Sequence, residues 1–509
     1  MIGETLDTKP MTPEEDYRFD VAGYLILRNV MTEAELSACN QALDEGSGSE
    51  GMLEWPEPLC DPFVQLCNHS LIAQYLEQLC WGEVRLDQPP HLIDENTCAA
   101  SFVGGNEPRN WSRAYQQRNH TRYCHGVLAI WSLTDIREGD GGLYLVPGSH
   151  RSDLETPIDL LDGTDEMGLV EQPVLGAGDL LLCAQNVLHG FRPWAGNRDQ
   201  RLLTYGYISG LVRRSDGAIQ GGEPAAWEGE MTPEQRAILS PTESSSSVLR
   251  SDGQTCQVEK TDAPYHPSIH VRNKSSDIDE KEFYFWDLCG YVVLRNVMDK
   301  TWIKAAHEAI DAYKDRFELG PDGTNGSSRL AGDRFPSLHS LFDLPHPHCK
   351  PFREMIAHPA VVQRLNWMMG SGYYLSRARA IHYERGTSGL YIHSKPEPAT
   401  PRNTYALQNG RAYSEQVNVN WQLVDTHAGD GGFVCVPGSH KANYPMPEAL
   451  TLCEEEMGMV KHVEMKAGDV LIFMGASQSH GAYPWMNDTP RRGVIVTYKS
   501  RNLDLTFER

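Results

Sequence analysis

No stretch of this 509-residue chain approaches the ~20 consecutive apolar residues of a membrane span, so no membrane segment is expected. Positive charge is also scarce. Lys and Arg number 45 against 69 Asp and Glu, a formal charge of −24, which argues against a nucleic-acid or anionic-membrane surface. Residues Met1 to Asp20 are charged and lack an apolar run, so no signal peptide is expected. The twelve cysteines form no C-x-x-C pair and no zinc-like grouping, and read as reduced, buried thiols of a cytoplasmic protein. What is present is an ordinary globular composition, 40% hydrophobic and 22% charged, in a chain too long for one core.

The chain repeats itself. Gly139-Asp-Gly-Gly-Leu-Tyr-Leu-Val-Pro-Gly-Ser-His150 returns as Gly429-Asp-Gly-Gly-Phe-Val-Cys-Val-Pro-Gly-Ser-His440, an offset of 290 residues (429 minus 139). Gly23 to Met31 matches Gly290 to Met298, and each reads as a short strand. A helix follows in both, capped by Thr32 with Glu35 in the first copy and by Asp299 in the second. Amphipathic helical stretches are expected at Val64 to Leu79 and Arg353 to Met369. Strands are expected at Val127 to Leu133 and Val417 to Leu423, and after Ala177-Gly-Asp and Ala467-Gly-Asp. Last come His189-Gly-x-x-Pro-Trp194 and His480-Gly-x-x-Pro-Trp485, each followed by an arginine and a final strand.

Between the copies the composition shifts to Gly, Ser and Pro, which reads as a linker over 215–276 with one short helix near Pro233 to Leu239. The expected domains are therefore 1–214 and 277–509, the product of tandem duplication. Helices first, then many short strands joined by Gly/Pro turns, predict a mainly β fold with flanking helices: two tandem double-stranded β-helix (jelly-roll) domains. Such a barrel has an open mouth where side chains of different strands converge.

Arg-Asn-Val after the first strand, Trp-x-Leu-x-Asp, Gly-Asp-Gly-Gly, Pro-Gly-Ser-His, and Gly-Asp followed by His-Gly and a downstream Arg together resemble the phytanoyl-CoA dioxygenase family. The resemblance covers nearly everything outside the linker. It implies an Fe(II)/2-oxoglutarate oxygenase that hydroxylates an unactivated C–H bond of a small organic substrate. In such enzymes two histidines and a carboxylate hold iron on one face, as His-x-Asp from one strand and a distal His from another. An arginine fork pairs with the far carboxylate of 2-oxoglutarate.

Carried onto this chain, the resemblance makes His393 and His480 the metal ligands. Arg492, with Arg491 as the neighbouring option, becomes the 2-oxoglutarate anchor, and Arg201 its match in the first copy. The pattern then breaks. Lys395 stands where the family's Asp should be, and in the first copy Val103 and Gly105 replace the His and the Asp, leaving His189 alone. Iron is then expected through His393, His480, 2-oxoglutarate and water or a borrowed carboxylate such as Glu397, with a halide in the vacant position as a further reading and His382-Tyr-Glu384, a literal His-x-Glu, as the alternative to His393.

Strand alternation separates the copies without any family knowledge. Asn418, Asn420 and Gln422 share one face, where the first copy has Leu128, Ile130 and Ser132. If that face lines the barrel interior, the second copy has a polar cavity whose asparagines and glutamine join the cofactor-binding residues, and the first a largely filled one; if it faces solvent, the contrast carries no function. The working site is expected in the second domain, with the first a stabilising partner paired to it within the chain. The competing reading is a catalytically inactive scaffold or small-molecule binding protein. His150 and His440 read as structural, after a tight turn.

Overall fold

The computed structural model describes residues 11–46, 48–80, 84–97, 100–105, 114–118, 121–210, 248–249, 255–256, 279–320, 327–370, 373–400, 402–408 and 410–500. Most of the expected linker and its short helix lie outside these residues. The chain divides into two units. The first holds residues 1–12, 23–151 and 155–271, and the second holds 13–22, 152–154 and 272–509. The helix Pro13–Ala22 thus groups with the second unit, where Asp20 accepts hydrogen bonds from the Asn443 backbone and side chain.

In the first unit the larger sheet has the order Tyr24–Leu27, Leu180–Ala184, Gly126–Ser132, Leu202–Ser209, Val84–Ile93, all antiparallel. A smaller sheet runs Ala100–Val103, Leu188–Arg192, Gly142–Val146. In the second unit the larger sheet begins Tyr291–Leu294, Val470–Met474, Gln416–Gln422, Arg491–Ser500, Tyr373–Tyr383 and adds two short strands. Its smaller sheet runs Leu390–His393, His480–Tyr483, Gly432–Cys435, Lys461–His462. Matching segments occupy matching places. Each expected amphipathic helix is two helices: Asp61–Cys67 and Ser70–Cys80 in one unit, Lys350–Met355 and Pro359–Met369 in the other. In the second unit Pro359 opens a new helix because proline suits a first turn and breaks an interior.

The shared motifs hold the frame. Asp469, buried in the Gly-Asp turn, accepts from Arg295, from the Asn296 backbone N–H and from the Lys466 N–H, while Val297 and Met298 donate to the Gly468 carbonyl. Asp179 repeats this with Arg28, Asn29 and Gly176. The Arg-Asn-Val and Gly-Asp motifs are therefore two halves of one clasp between neighbouring strands. Asn29 and Asn296 adopt φ of 52° and 54°, a conformation asparagine tolerates better than most residues. In Gly-Asp-Gly-Gly, Gly431 has φ 85°, and a Cβ there would collide with the Pro484 carbonyl. The Ser439 hydroxyl accepts from the Ser479 N–H and Ser149 from Leu188, tying the Pro-Gly-Ser-His turn to the strand of the distal histidine. His440 is buried and bonds the Asp287 carbonyl through Nε2. These residues build the fold.

Ten of the cysteines among the described residues are buried free thiols. No helix among those residues is long and apolar enough to cross a membrane.

Candidate functional site in the second unit

Alternation decides which side chains meet. In the strand Gln416–Gln422, Val417, Val419 and Trp421 pack with Ile310, Phe352, Val361 and Leu365 of the covering helices. Asn418, Asn420 and Gln422 must then turn to the opposite, inner face, where all three are buried. Their antiparallel partners are Thr497, Ile495 and Gly493, and one strand further lie Arg377, Arg379 and Ile381. Gln422 is fixed by donating to Thr426 Oγ1 and the Val424 carbonyl, and it accepts from Asn420 Nδ2 at 3.2 Å. The Oδ1 atoms of Asn418 and Asn420 are buried and have no hydrogen-bond partner.

The smaller sheet supplies the histidines. His393 and His480 are direct partners across antiparallel strands, their ring centroids 4.3 Å apart. Each Nδ1 engages the carbonyl two residues back, Tyr391 at 3.1 Å and Gln478 at 2.8 Å. With Nδ1–H donating, each Nε2 carries a lone pair, the tautomer that metal-bound histidines use. Phe473 from the larger sheet packs edge-on against His480 at 4.7 Å, and Phe433 lies 4.8 Å from Phe473, so the pair sits between the sheets. Burial first, and then His393 beside it, pushes the His480 pKa down to about 3. Burial lowers that of His393 as well, with Arg379 adding to the effect. Both imidazoles are therefore neutral at neutral pH.

The two candidate arginines part company. Arg492 shares its strand face with Val494, Val496 and Tyr498, the helix-covered side. There Nη2 donates to Asp311 at 2.6 Å, Nε to His382 Nδ1 at 2.9 Å, and Nη1 lies 3.1 Å from His307 Nδ1. Arg201 clamps Asp44 in the first unit in the same way, at 2.6 Å. Both bind the helix that follows the first strand. Arg491 points inward: it is buried, its guanidinium lies 5.8 Å from the Tyr383 ring, and its Nε has no partner. A Cβ on Gly432 would sit 3.3 Å from its Cζ, so that glycine makes room for it. Arg492, expected first as the anchor, has its guanidinium already engaged on the outer face. The signal was present in the sequence: Arg492 is in phase with the apolar residues of its strand, and Arg491 is not.

Sequence reasoning missed Arg379. It lies on the inner face, its Nε is buried without a partner, and its charge acts on both His393 and Arg491. Lys395 follows Ser394, which adopts φ 63° beyond the end of the strand Leu390–His393. Its ammonium donates to Thr451 Oγ1 at 3.2 Å; burial lowers its pKa against the pull of Glu397 and Glu448. His382 is bonded on both ring nitrogens, to Glu384 at 2.8 Å and to Arg492, which leaves neither free for a metal. Among the described residues no group of three or more His, Cys, Asp or Glu is arranged to hold a metal.

A paired-histidine site between two antiparallel sheets, with an inward arginine, defines the class as a β-sandwich with a polar interior. Residues 286–493 match the phytanoyl-CoA dioxygenase (PhyH) family model. The chain is similar to the ectoine dioxygenase of Streptomyces coelicolor, at 26% identity over 186 residues, 32% of this chain and 59% of that protein. It thus spans well under two thirds of the length of that relative. It is also similar to the ectoine dioxygenase of Bordetella bronchiseptica, at 21% identity, covering 53% of this chain and 87% of that one. Among solved structures, HygX from Streptomyces hygroscopicus with nickel and 2-oxoglutarate bound matches 44% of this chain and 88% of its own, at 17% identity and a TM-score of 0.37.

Proposed function

We propose that the protein is an Fe(II)/2-oxoglutarate-dependent oxygenase acting on an unactivated C–H bond of a small organic substrate. Its site lies between the sheets of the second unit, and each unit is a jelly roll. The observation that carries the reading is the His393–His480 pair, facing across one strand pair with both Nε2 atoms set as acceptors. The PhyH domain over 286–493 and the dioxygenase relatives support it.

The residues present fit Fe(II) through two imidazoles. Among the described residues no third His, Cys, Asp or Glu is placed to join them. When bound, iron with 2-oxoglutarate supplies the oxidising chemistry. The chain's own residues do the rest. His393 and His480 present neutral nitrogens, because burial keeps protons off them. Arg491 offers a partnerless buried Nε to a carboxylate, which suits the far end of 2-oxoglutarate. Asn418 and Asn420 offer free acceptor oxygens to a substrate N–H or O–H. Phe433 and Phe473 exclude water beside His480.

One observation favours a second reading. Lys395 replaces a carboxylate and is tied to Thr451, and no third acid joins the pair among the described residues. On that reading the same pocket binds an anion without turnover. Anaerobic titration with Fe(II) and 2-oxoglutarate separates the two through the metal-to-ligand charge-transfer band. The band is expected in wild type and in Arg492→Leu, and lost or weakened at least tenfold in Arg491→Leu. A wild type with no band leaves the binding-protein reading.

A further inference from the structure

The interior of the first unit was expected to be filled, because Leu128 and Ile130 replace asparagines. It is not. Leu128 and Ile130 line a cavity of about 440 Å³, within the range of small-molecule sites. The cavity occupies the place of the second unit's site, where His189 keeps the strand position of His480 and the other charged or ligating positions have changed. His91 stands on the strand position of Arg379, Val103 on that of His393, and Gln200 on that of Arg491. Among the described residues no Asp, Glu, Lys or Arg lines it, while His91 and His189 do.

Two side chains of its lining keep a buried oxygen without a partner. Gln185 and Asn186 line the cavity and are 4% and 5% exposed, and the Oε1 and Oδ1 atoms are buried without partners. Asn186 cannot be turned around, because its Nδ2 donates to the His150 carbonyl at 3.0 Å. Its Oδ1 is therefore a fixed acceptor. The loop is held on both sides, Gln185 N–H donating to the Gly126 carbonyl and Gly105 N–H to the Asn186 carbonyl. A buried acceptor left unmade costs about 1–3 kcal/mol, which a ligand donor would recover. Leu128, Ile130 and Phe191 add hydrocarbon to the lining, beside His91, His189 and Thr204.

We propose that the first unit is a metal-independent binding site for an uncharged small molecule with hydroxyl or N–H donors on one edge and a hydrocarbon body. Among the described residues no Asp, Glu, Lys or Arg would offset the costly desolvation of a charged ligand there. This inference does not depend on iron binding in the second unit.

The test uses the full chain and two probes of one shape, cis-1,2-cyclohexanediol and cyclohexanecarboxylate, followed by saturation-transfer NMR. The diol is expected to show at least about fivefold stronger transfer than the carboxylate. Leu128→Trp, which places an indole in the cavity, should abolish the diol signal, and His480→Ala should leave it unchanged. Gln185→Met, which keeps the length and removes the acceptor, should weaken binding about fivefold and serves if Leu128→Trp does not fold. Diol transfer no stronger than the carboxylate's, or diol binding untouched by both first-unit variants, would overturn the proposal.

Discussion

The two units share a strand order and differ in what their sheets enclose. In the second, the inner face carries Arg379, Arg491, Asn418 and Asn420 around two paired histidines. In the first, the corresponding face carries His91, Gln200, Leu128 and Ile130, and His189 is paired with Val103. The residues that match best between the copies, the Asp179 and Asp469 clasps and the outward Arg201 and Arg492, all serve the frame. Apart from the shared His189 and His480, identity between the copies reports folding, and divergence reports the interior.

The comparison can be broken most decisively at the histidines. His480→Ala should lower Fe(II) affinity at least tenfold, measured by anaerobic competition with a chelator, whereas His189→Ala should leave it unchanged. Next come the clasps. Asp469→Ala strands the Asn296 and Lys466 N–H groups and the Arg295 fork, and Asp179→Ala does the same around Arg28. Each should cost about 3 kcal/mol in denaturant unfolding, alike in both units. A marked asymmetry would show that the shared motifs are not equally structural.

A smaller effect distinguishes the arginines. Arg491→Leu should raise the 2-oxoglutarate Kd roughly tenfold or more with little change in melting temperature. Arg492→Leu should destabilise by about 1 kcal/mol through loss of the Asp311 and His382 bonds while leaving that Kd in place. The smallest effect is a pH slope. The folded-state pKa of His480 is depressed to about 3, below the ~6.5 of an unfolded histidine, so the unfolded chain takes up the proton first. Its contribution to stability is complete above pH ~6.5 and is lost as pH falls toward 3. His480→Phe should flatten the acid limb of the unfolding curve by about one proton. An unchanged slope would mean that His480 is not buried neutral.

Much of the frame was legible in the sequence because it rests on local rules. The Thr32–Glu35 capping box and the Asp299 cap form as their spacing implies. The strands at Gln416–Gln422 and Gly126–Ser132 fall within a residue of their expected bounds. The helical stretches were legible as helix, but not the breaks before Ser70 and Pro359, which depend on how each piece packs. Within the site, the inward face of Asn418, Asn420 and Gln422 followed from alternation. The same rule, applied to Val494, Val496 and Tyr498, would have set Arg491 ahead of Arg492. Arg379 lies on a distant strand and was invisible until pairing through Ile495 placed it beside Asn420. The cavity of the first unit could not be read from Leu128 and Ile130, because its volume is set by the opposing residues of other strands.

The central claim is that one interior, and only the second, is built for metal with 2-oxoglutarate. Counting Fe(II)·2-oxoglutarate complexes per chain by anaerobic charge-transfer titration tests it most directly. The account predicts one complex per chain, abolished by His480→Ala and unaffected by His189→Ala. Two complexes per chain, or one that survives His480→Ala and disappears in His189→Ala, would contradict it.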